Sequence, residues 1–269
     1  MRINKLFAAM SCALLGAACT GEISDSDVQE TIENLEQAGF PRSDIQVYDG
    51  VVYVGNDAEV TLESSREMIQ AGAANGNEEQ YRTNNLVSRA LSTICIRGHA
   101  APQYNANAVT VLANGLVMAM ANYNALNLTF TMRYVGEGQS TAGCGAMIEA
   151  YVENGTGGRA GFPSGGRPYG AIYIGIGVAN YGVDVAEHVI THELGHAVGF
   201  RHTDFFNRSI SCGGSPVNEG QAGVGAIHIP GTPTGAQVGG SIMNSCFRSV
   251  ETGEFTASDA YSLRLGYGR

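Results

Sequence analysis

The chain has 269 residues, with 25 acidic against 15 basic side chains and a formal net charge of −10. That length holds one good-sized domain or two small ones, and 37 glycines with few charges suit a compact, loop-rich fold rather than a coiled coil or a disordered chain. The acidic balance, with no Lys/Arg-rich stretch, argues against nucleic acid and anionic membrane surfaces as partners.

In chain order, residues 1–18 read as an export signal. Arg2 and Lys5 give a basic start, residues 6–15 are apolar, and Gly16, Ala17 and Ala18 are small residues of the kind found at a signal-peptidase cut. The apolar run is too short to span a bilayer as a helix, which takes roughly 20 residues. Cys19, directly after the cut, suits attachment of a lipid. The mature chain is therefore expected outside the cytoplasm of a bacterial cell, secreted or tethered to the outer membrane through Cys19. Of the six cysteines, Cys12 lies in the signal and Cys19 directly after it, leaving Cys95, Cys144, Cys212 and Cys246. An even set in an exported chain implies two disulfides, with three pairings open. Their spacing is not that of a zinc finger.

Residues 24–38 follow as a short amphipathic helix, with Val28, Ile32 and Leu35 at helical spacing, Ser26 as cap, and Gly39 and Pro41 as the stop. Asp49-Gly50 is a strong turn dipeptide between residues 45–48 and 51–54, which predicts a hairpin, and residues 59–62 add a third strand. Ala71-Gly-Ala-Ala-Asn-Gly-Asn77 has the composition of a linker. It divides an N-terminal segment, residues 19–80, from a main domain, residues 81–269. The main domain opens with a strand over 88–96 and a long helix over 106–125, where Val109, Leu112, Leu116, Met120 and Tyr123 share one face. Strands follow over 128–134 and 147–152, then a Gly/Pro-rich loop over 154–170. Residues 171–176 alternate like an edge strand, and residues 184–198 form a second helix. The class is α+β.

The chemistry concentrates in His192-Glu-Leu-Gly-His-Ala-Val-Gly-Phe-Arg-His202. His192 and His196 lie four apart, so a helix projects both imidazoles from one face toward one ion. Glu193 lies one residue round, where its carboxylate reaches a metal-bound water rather than the metal. Gly199 can take the left-handed conformation that ends the helix, and the chain then returns His202 to the same ion. Three neutral imidazoles and an open fourth position describe a catalytic Zn2+ site, with Glu193 as general base for peptide hydrolysis. A secreted binding or adhesion module with purely structural zinc is the alternative, and a carboxylate poised at an open position speaks against it. His188, one turn earlier, shares the ligand face and is expected to pack or to support the ligands rather than close the site. Asp204 either orients His202 or a neighbouring backbone group, or forms a local turn.

With Ser241-Ile-Met-Asn244 downstream, the chain resembles the metzincin metallopeptidases, and within them the bacterial dual-action HEIGH metallopeptidase family. The further segments that carry this likeness are Gln80-Tyr-Arg-Thr-Asn-Asn-Leu-Val87, Ala160-Gly-Phe-Pro-Ser-Gly-Gly166 and His228-Ile-Pro-Gly-Thr-Pro-Thr-Gly235, and it runs from about Tyr81 onward. Leu194 stands where the family name has Ile, and Ser245 stands where astacin-like relatives carry a tyrosine. The resemblance implies a two-lobed domain: a twisted mixed sheet and active-site helix above, and below them a loop-rich lobe with a Met-turn at Met243. It implies protein or peptide substrates. If Met243 lies beneath the zinc, Cys212 and Cys246 share the lower lobe and pair, which leaves Cys95 for Cys144. Val54-Gly-Asn-Asp57 resembles the Gly-Asp zinc-blocking motif of astacin-like zymogens, with Asn56 interposed. That likeness implies a propeptide whose Asp57 plugs the fourth zinc position; a solvent-exposed turn aspartate is the other reading.

Overall fold

The computed structural model describes residues 24–69, 80–220, 226–233 and 235–269. The export leader with Cys19 and the linker at 71–77 lie outside them. The N-terminal segment contributes α1 (Asp25–Gln37), β1 (Gln46–Tyr48), β2 (Val51–Val54), β3 (Ala58–Glu59) and α2 (Leu62–Ile69). The rest comprises β4 (Tyr81–Arg82), β5 (Thr93–His99), α3 (Ala106–Ala125), β6 (Thr131–Tyr134), β7 (Ala146–Glu153), β8 (Gly158–Gly161), β9 (Ala171–Gly175), α4 (Val183–Ala197), β10 (Phe200–Arg201), α5 (Ser209–Cys212), β11 (Ile227–His228) and α6 (Ala257–Tyr267).

Local chemistry accounts for the element ends. Ser24 caps α1 and forms a capping box with Asp27, so Ser26 lies inside the first turn instead of capping it. Asp49-Gly50 closes the β1–β2 hairpin with Val47 opposite Val52. The third strand is shorter than the sequence suggests. Thr61 Oγ1 accepts from the Ser64 amide at 3.1 Å, and this cap starts α2 at Leu62, where the expected strand ends.

Eight strands form one mixed sheet in the order β1-β2-β3-β8-β9-β7-β5-β6. β9, β7, β5 and β6 run parallel, β8 runs antiparallel to β9, and β3 pairs parallel with β8. The strand at 171–176 is thus interior, not an edge. Its outer neighbour is β8, which formed out of the glycine-rich stretch at 154–170. Such a stretch carries few of the β-branched side chains that mark a strand, so its sequence reads as loop.

Along β7, Ile148 and Ala150 point inward and Glu149 and Tyr151 outward. α3 and α4 cover the inward face. Leu112, Leu116, Val189 and Ile190 meet Ile94, Ile96, Ile148 and Ile172 there, each worth about 1.5–3 kcal/mol when fully buried. A separate core under α1 and α2 joins Leu35, Phe40, Val52, Val54 and Met68 to Phe162 of the main domain. The N-terminal segment therefore has its own small core, yet its strands extend the main sheet. β10, β4 and β11 make a second, three-stranded sheet beneath. Disulfides join Cys95 to Cys144 above and Cys212 to Cys246 below. Among the described residues, no helix is long and apolar enough to cross a membrane.

Candidate metal centre

α4 places His192 and His196 one turn apart at its C-terminal end, both buried. Gly199 then takes φ +106°, and a Cβ there would lie 2.6 Å from the Asn85 carbonyl, so only glycine makes this turn. The turn does two jobs. Phe200 offers its carbonyl to His196 Nδ1 at 2.8 Å, and β10, paired with β4, delivers His202 back to the helix. His192 Nδ1 lies 2.8 Å from the Ile242 carbonyl, and His202 Nδ1 lies 2.8 Å from Glu219 Oε1. Each ring thus has an acceptor at Nδ1, which fixes a proton there and turns Nε2 inward; despite burial, the Asp57 and Glu219 carboxylates hold His202 well above its usual range in the metal-free chain.

The three Nε2 atoms converge, with His202 3.2 Å from both His192 and His196. Four ligands around zinc at about 2.0–2.1 Å stand about 3.3–3.4 Å apart in a tetrahedron, so the spacing fits. Burial, and then the charge of neighbouring histidines, holds His192 down to about 4 and His196 well below its usual range. Both are the neutral imidazoles that a metal requires. Imidazole donors suit zinc over calcium or magnesium.

Asp57 completes the group. Its Oδ2 lies 3.1 Å from His202 Nε2 and 3.8 Å from His192 Nε2, and its Oδ1 lies 3.9 Å from His196 Nε2. All four donor atoms fall within 4.8 Å of one another. Asp57 reaches them because Gly55 and Asn56 turn the chain between β2 and β3, both with positive φ. The exposed-turn alternative for Asp57 does not describe this side chain.

Glu193 projects beside the group and is 2 % exposed. Burial, then the Asp57 charge, raises its carboxyl well above the usual range, and its Oε2 has no hydrogen-bond partner among the described residues. A Cβ on Gly158 would lie 2.4 Å from Glu193 Oε1, so the bare backbone of β8 is what leaves room for this carboxylate. A cleft of about 280 Å³ opens here, lined by Asp57, Gly158, His188, His192, Glu193 and Phe247 among others. His188 stands outside the ligand group, its Nδ1 4.0 Å from Glu251 Oε2.

Below the helix, a Cβ on Gly195 would come within 2.5 Å of Met243 Sδ, which puts Met243 directly under α4. The segment is pinned by Asp259 of α6, which accepts from Ser241 Oγ at 2.6 Å and from the Ile242 amide at 3.1 Å. Asp204 does not orient His202. Its carboxylate accepts from Ser245 and Ser211, tying together the strands of chain that lead into the Cys212–Cys246 bridge.

His202 is instead supported by Glu219, which also meets Arg201 Nη2 at 3.3 Å and Arg208 Nε at 3.1 Å. Sequence reasoning missed Glu219, because a single acid in a Gly/Ser loop carries no periodic or motif signal. The run Gly155-Thr-Gly-Gly158 did carry one, since clustered glycines beside a strand mark close backbone approach. His99 and His228 stay apart from the centre, on Glu149 and Thr232.

The sequence model of the dual-action HEIGH metallo-peptidase family matches residues 52–267. The match begins well before Tyr81 and takes in Asp57 and β3. Among solved structures, the chain is similar to myroilysin, at 13% identity over 70% of this chain and 98% of that one, with a TM-score of 0.41. It is also similar to high choriolytic enzyme 1, a hatching-enzyme zinc protease from the medaka fish Oryzias latipes. There the identity is 15% over 67% of this chain and 92% of that one, with a TM-score of 0.33. No curated protein matches.

Proposed function

Because the chain belongs to the dual-action HEIGH metallo-peptidase family, we propose that it is a zinc endopeptidase held latent by its own N-terminal segment. His192, His196 and His202 hold the metal in this reading, Glu193 is the general base, and Met243 is the Met-turn residue beneath them. The observation that carries it is the Asp57 carboxylate among the three Nε2 atoms, 3.1 Å from His202, in the turn that leads into β3 of the segment.

Bound zinc supplies a Lewis acid that polarises a peptide carbonyl and acidifies a coordinated water. The chain's residues do the rest. The backbone carbonyls of Ile242 and Phe200, and the Glu219 carboxylate, hold the three rings in the ligating tautomer. Glu193, beside the three imidazoles, takes a proton from the attacking water as a carboxylate and gives it to the leaving amine. β8 offers the substrate an edge for main-chain pairing once β3 is gone. While β3 is there, both that edge and the fourth ligand position are filled.

Two further elements belong to the proposal. Residues 1–18 act as an export signal with cleavage before Cys19, which then carries a lipid or starts the secreted chain. Two disulfides are in keeping with an oxidising compartment. The decisive experiment compares the zinc-loaded full chain with its Asp57→Ala variant on a fluorogenic peptide. The parent is expected to be silent until it is cut between residues 70 and 80, and the variant to show turnover before any cut, below that of the cut parent because β3 still pairs with β8. Full activity of the uncut parent from the outset would remove latency, and an equally silent variant would assign the block to another residue.

A further inference from the structure

Two residues beyond Asp57, β3 places an acid against a second feature of β8. Glu59 stands opposite Gly161, and its Oε2 lies 3.6 Å from Arg159 Nη1, with the Tyr169 phenol beside it. Arg159 Nη1 also donates to the Tyr53 hydroxyl at 2.9 Å. Both of these partners belong to the N-terminal segment. The other side of the guanidinium is held by the main domain. Nη2 donates to Glu153 Oε2 at 2.9 Å, Nε donates to both Glu153 oxygens at 3.2 Å, and the group lies 3.6 Å over the Tyr173 ring.

Removal of the segment would therefore strip Arg159 of its Nη1 partners alone. Glu153 and Tyr173 would keep it in place, one residue from the Gly158 that abuts Glu193. We infer that Arg159 and Tyr169 form a subsite for an acidic side chain of an extended substrate on the β8 edge, which Glu59 fills in the latent chain. The inference rests on the latency reading above.

Three points support it. A peptide paired to β8 presents every second side chain to the face that carries Arg159, as β3 presents Glu59. The site accepts a carboxylate even with Glu153 in place, since Glu59 sits there. An apolar or basic side chain would cover the Nη1 donors without offering them an acceptor. Because Glu153 and Tyr173 orient the fork beforehand, little freedom is lost when a carboxylate arrives.

The test uses the full chain with a cleavage site inserted within residues 71–77, folded intact, zinc-loaded and cut afterwards. Peptides of one sequence carry Glu, Ala or Lys at each position within three residues of the scissile bond. At one of these positions Glu is expected to exceed Ala by about tenfold in kcat/KM, the size of one hydrogen bond to a charged group, and Lys by more. In Arg159→Gln the Glu-to-Ala ratio should fall to near one, while Arg159→Lys should keep part of it. Should Arg159→Gln fail to fold, Tyr169→Phe removes only a hydroxyl and should lower the same ratio. Equal cleavage of Glu and Ala peptides by the parent, or a Glu preference that survives in the variants, overturns the subsite alone. Failure of the cut protein to cleave any peptide overturns the latency reading and the subsite with it.

Discussion

Replacing Glu219 by Gln tests whether the metal centre depends on a charge one imidazole ring removed from the ligating nitrogen. Glu219 is 1 % exposed and faces His202 Nδ1 at 2.8 Å, Arg208 Nε at 3.1 Å and Arg201 Nη2 at 3.3 Å. Burial alone would raise its carboxyl, but His202, then Arg201 and Arg208, outweigh burial and hold it down to about 2. A fall from 4.5 to about 2 corresponds to about 3 kcal/mol in favour of the ionised form. The folded value lies below the unfolded one. Its contribution to stability is therefore complete above pH 4.5 and is lost as pH falls toward 2.

The Gln side chain keeps the shape and an acceptor for His202. It removes the charge, and leaves Arg201, itself 2 % exposed, buried without its closest counter-ion. Breaking a buried pair in this way costs about 3–5 kcal/mol, which agrees with the figure from the carboxyl. Zinc affinity should fall about 10–100-fold, the usual cost of losing a ligand's outer partner. A chelator competition reads the affinity, and urea unfolding of the metal-free chain between pH 7 and pH 3 reads the stability. Expected are a loss of about 3 kcal/mol at pH 7 and a gap that narrows toward the acid end. Zinc affinity within twofold of the parent and an unchanged midpoint at pH 7 would refute the reasoning.

Glu193→Gln should keep zinc, because the three imidazoles remain, and lose roughly 10²–10⁴-fold in peptide cleavage by the cut enzyme; metal content together with turnover decides it. Gly158→Ala would drive a Cβ to within 2.4 Å of Glu193 Oε1. It should cost about 10²-fold in kcat/KM with zinc retained, the penalty of misplacing a catalytic group by about 1 Å, and an unimpaired variant would mean that β8 does not shape the site. Replacing Cys212 and Cys246 by Ser opens a bridge spanning 34 positions, worth about 4 kcal/mol in the chain-entropy description. Thermal unfolding should show that loss, and non-reducing peptide maps of the parent should join these two cysteines and no other pair with either.

Much of this protein was legible in its sequence, for reasons of local physics. His192, Glu193 and His196 stand on a helix whose period forces two imidazoles onto one face, and Gly199 marks the turn that returns His202. The long helix of residues 106–125 announces itself by apolar spacing, and the Asp49-Gly50 hairpin by its turn. What the tertiary structure alone decided involves groups distant in the chain with no periodic signature. β8 is a strand because β9 and β3 flank it, although its own residues are small and glycine-rich. The strand at 171–176 looked like an edge because alternation records which faces are buried, not which edges are paired. Glu219 rather than Asp204 supports His202, since a buried carboxylate is chosen by the charges that converge on it, here Arg201 and Arg208, and folding brings these together. Asp57, 145 positions from His202, likewise meets it only when β3 pairs with β8.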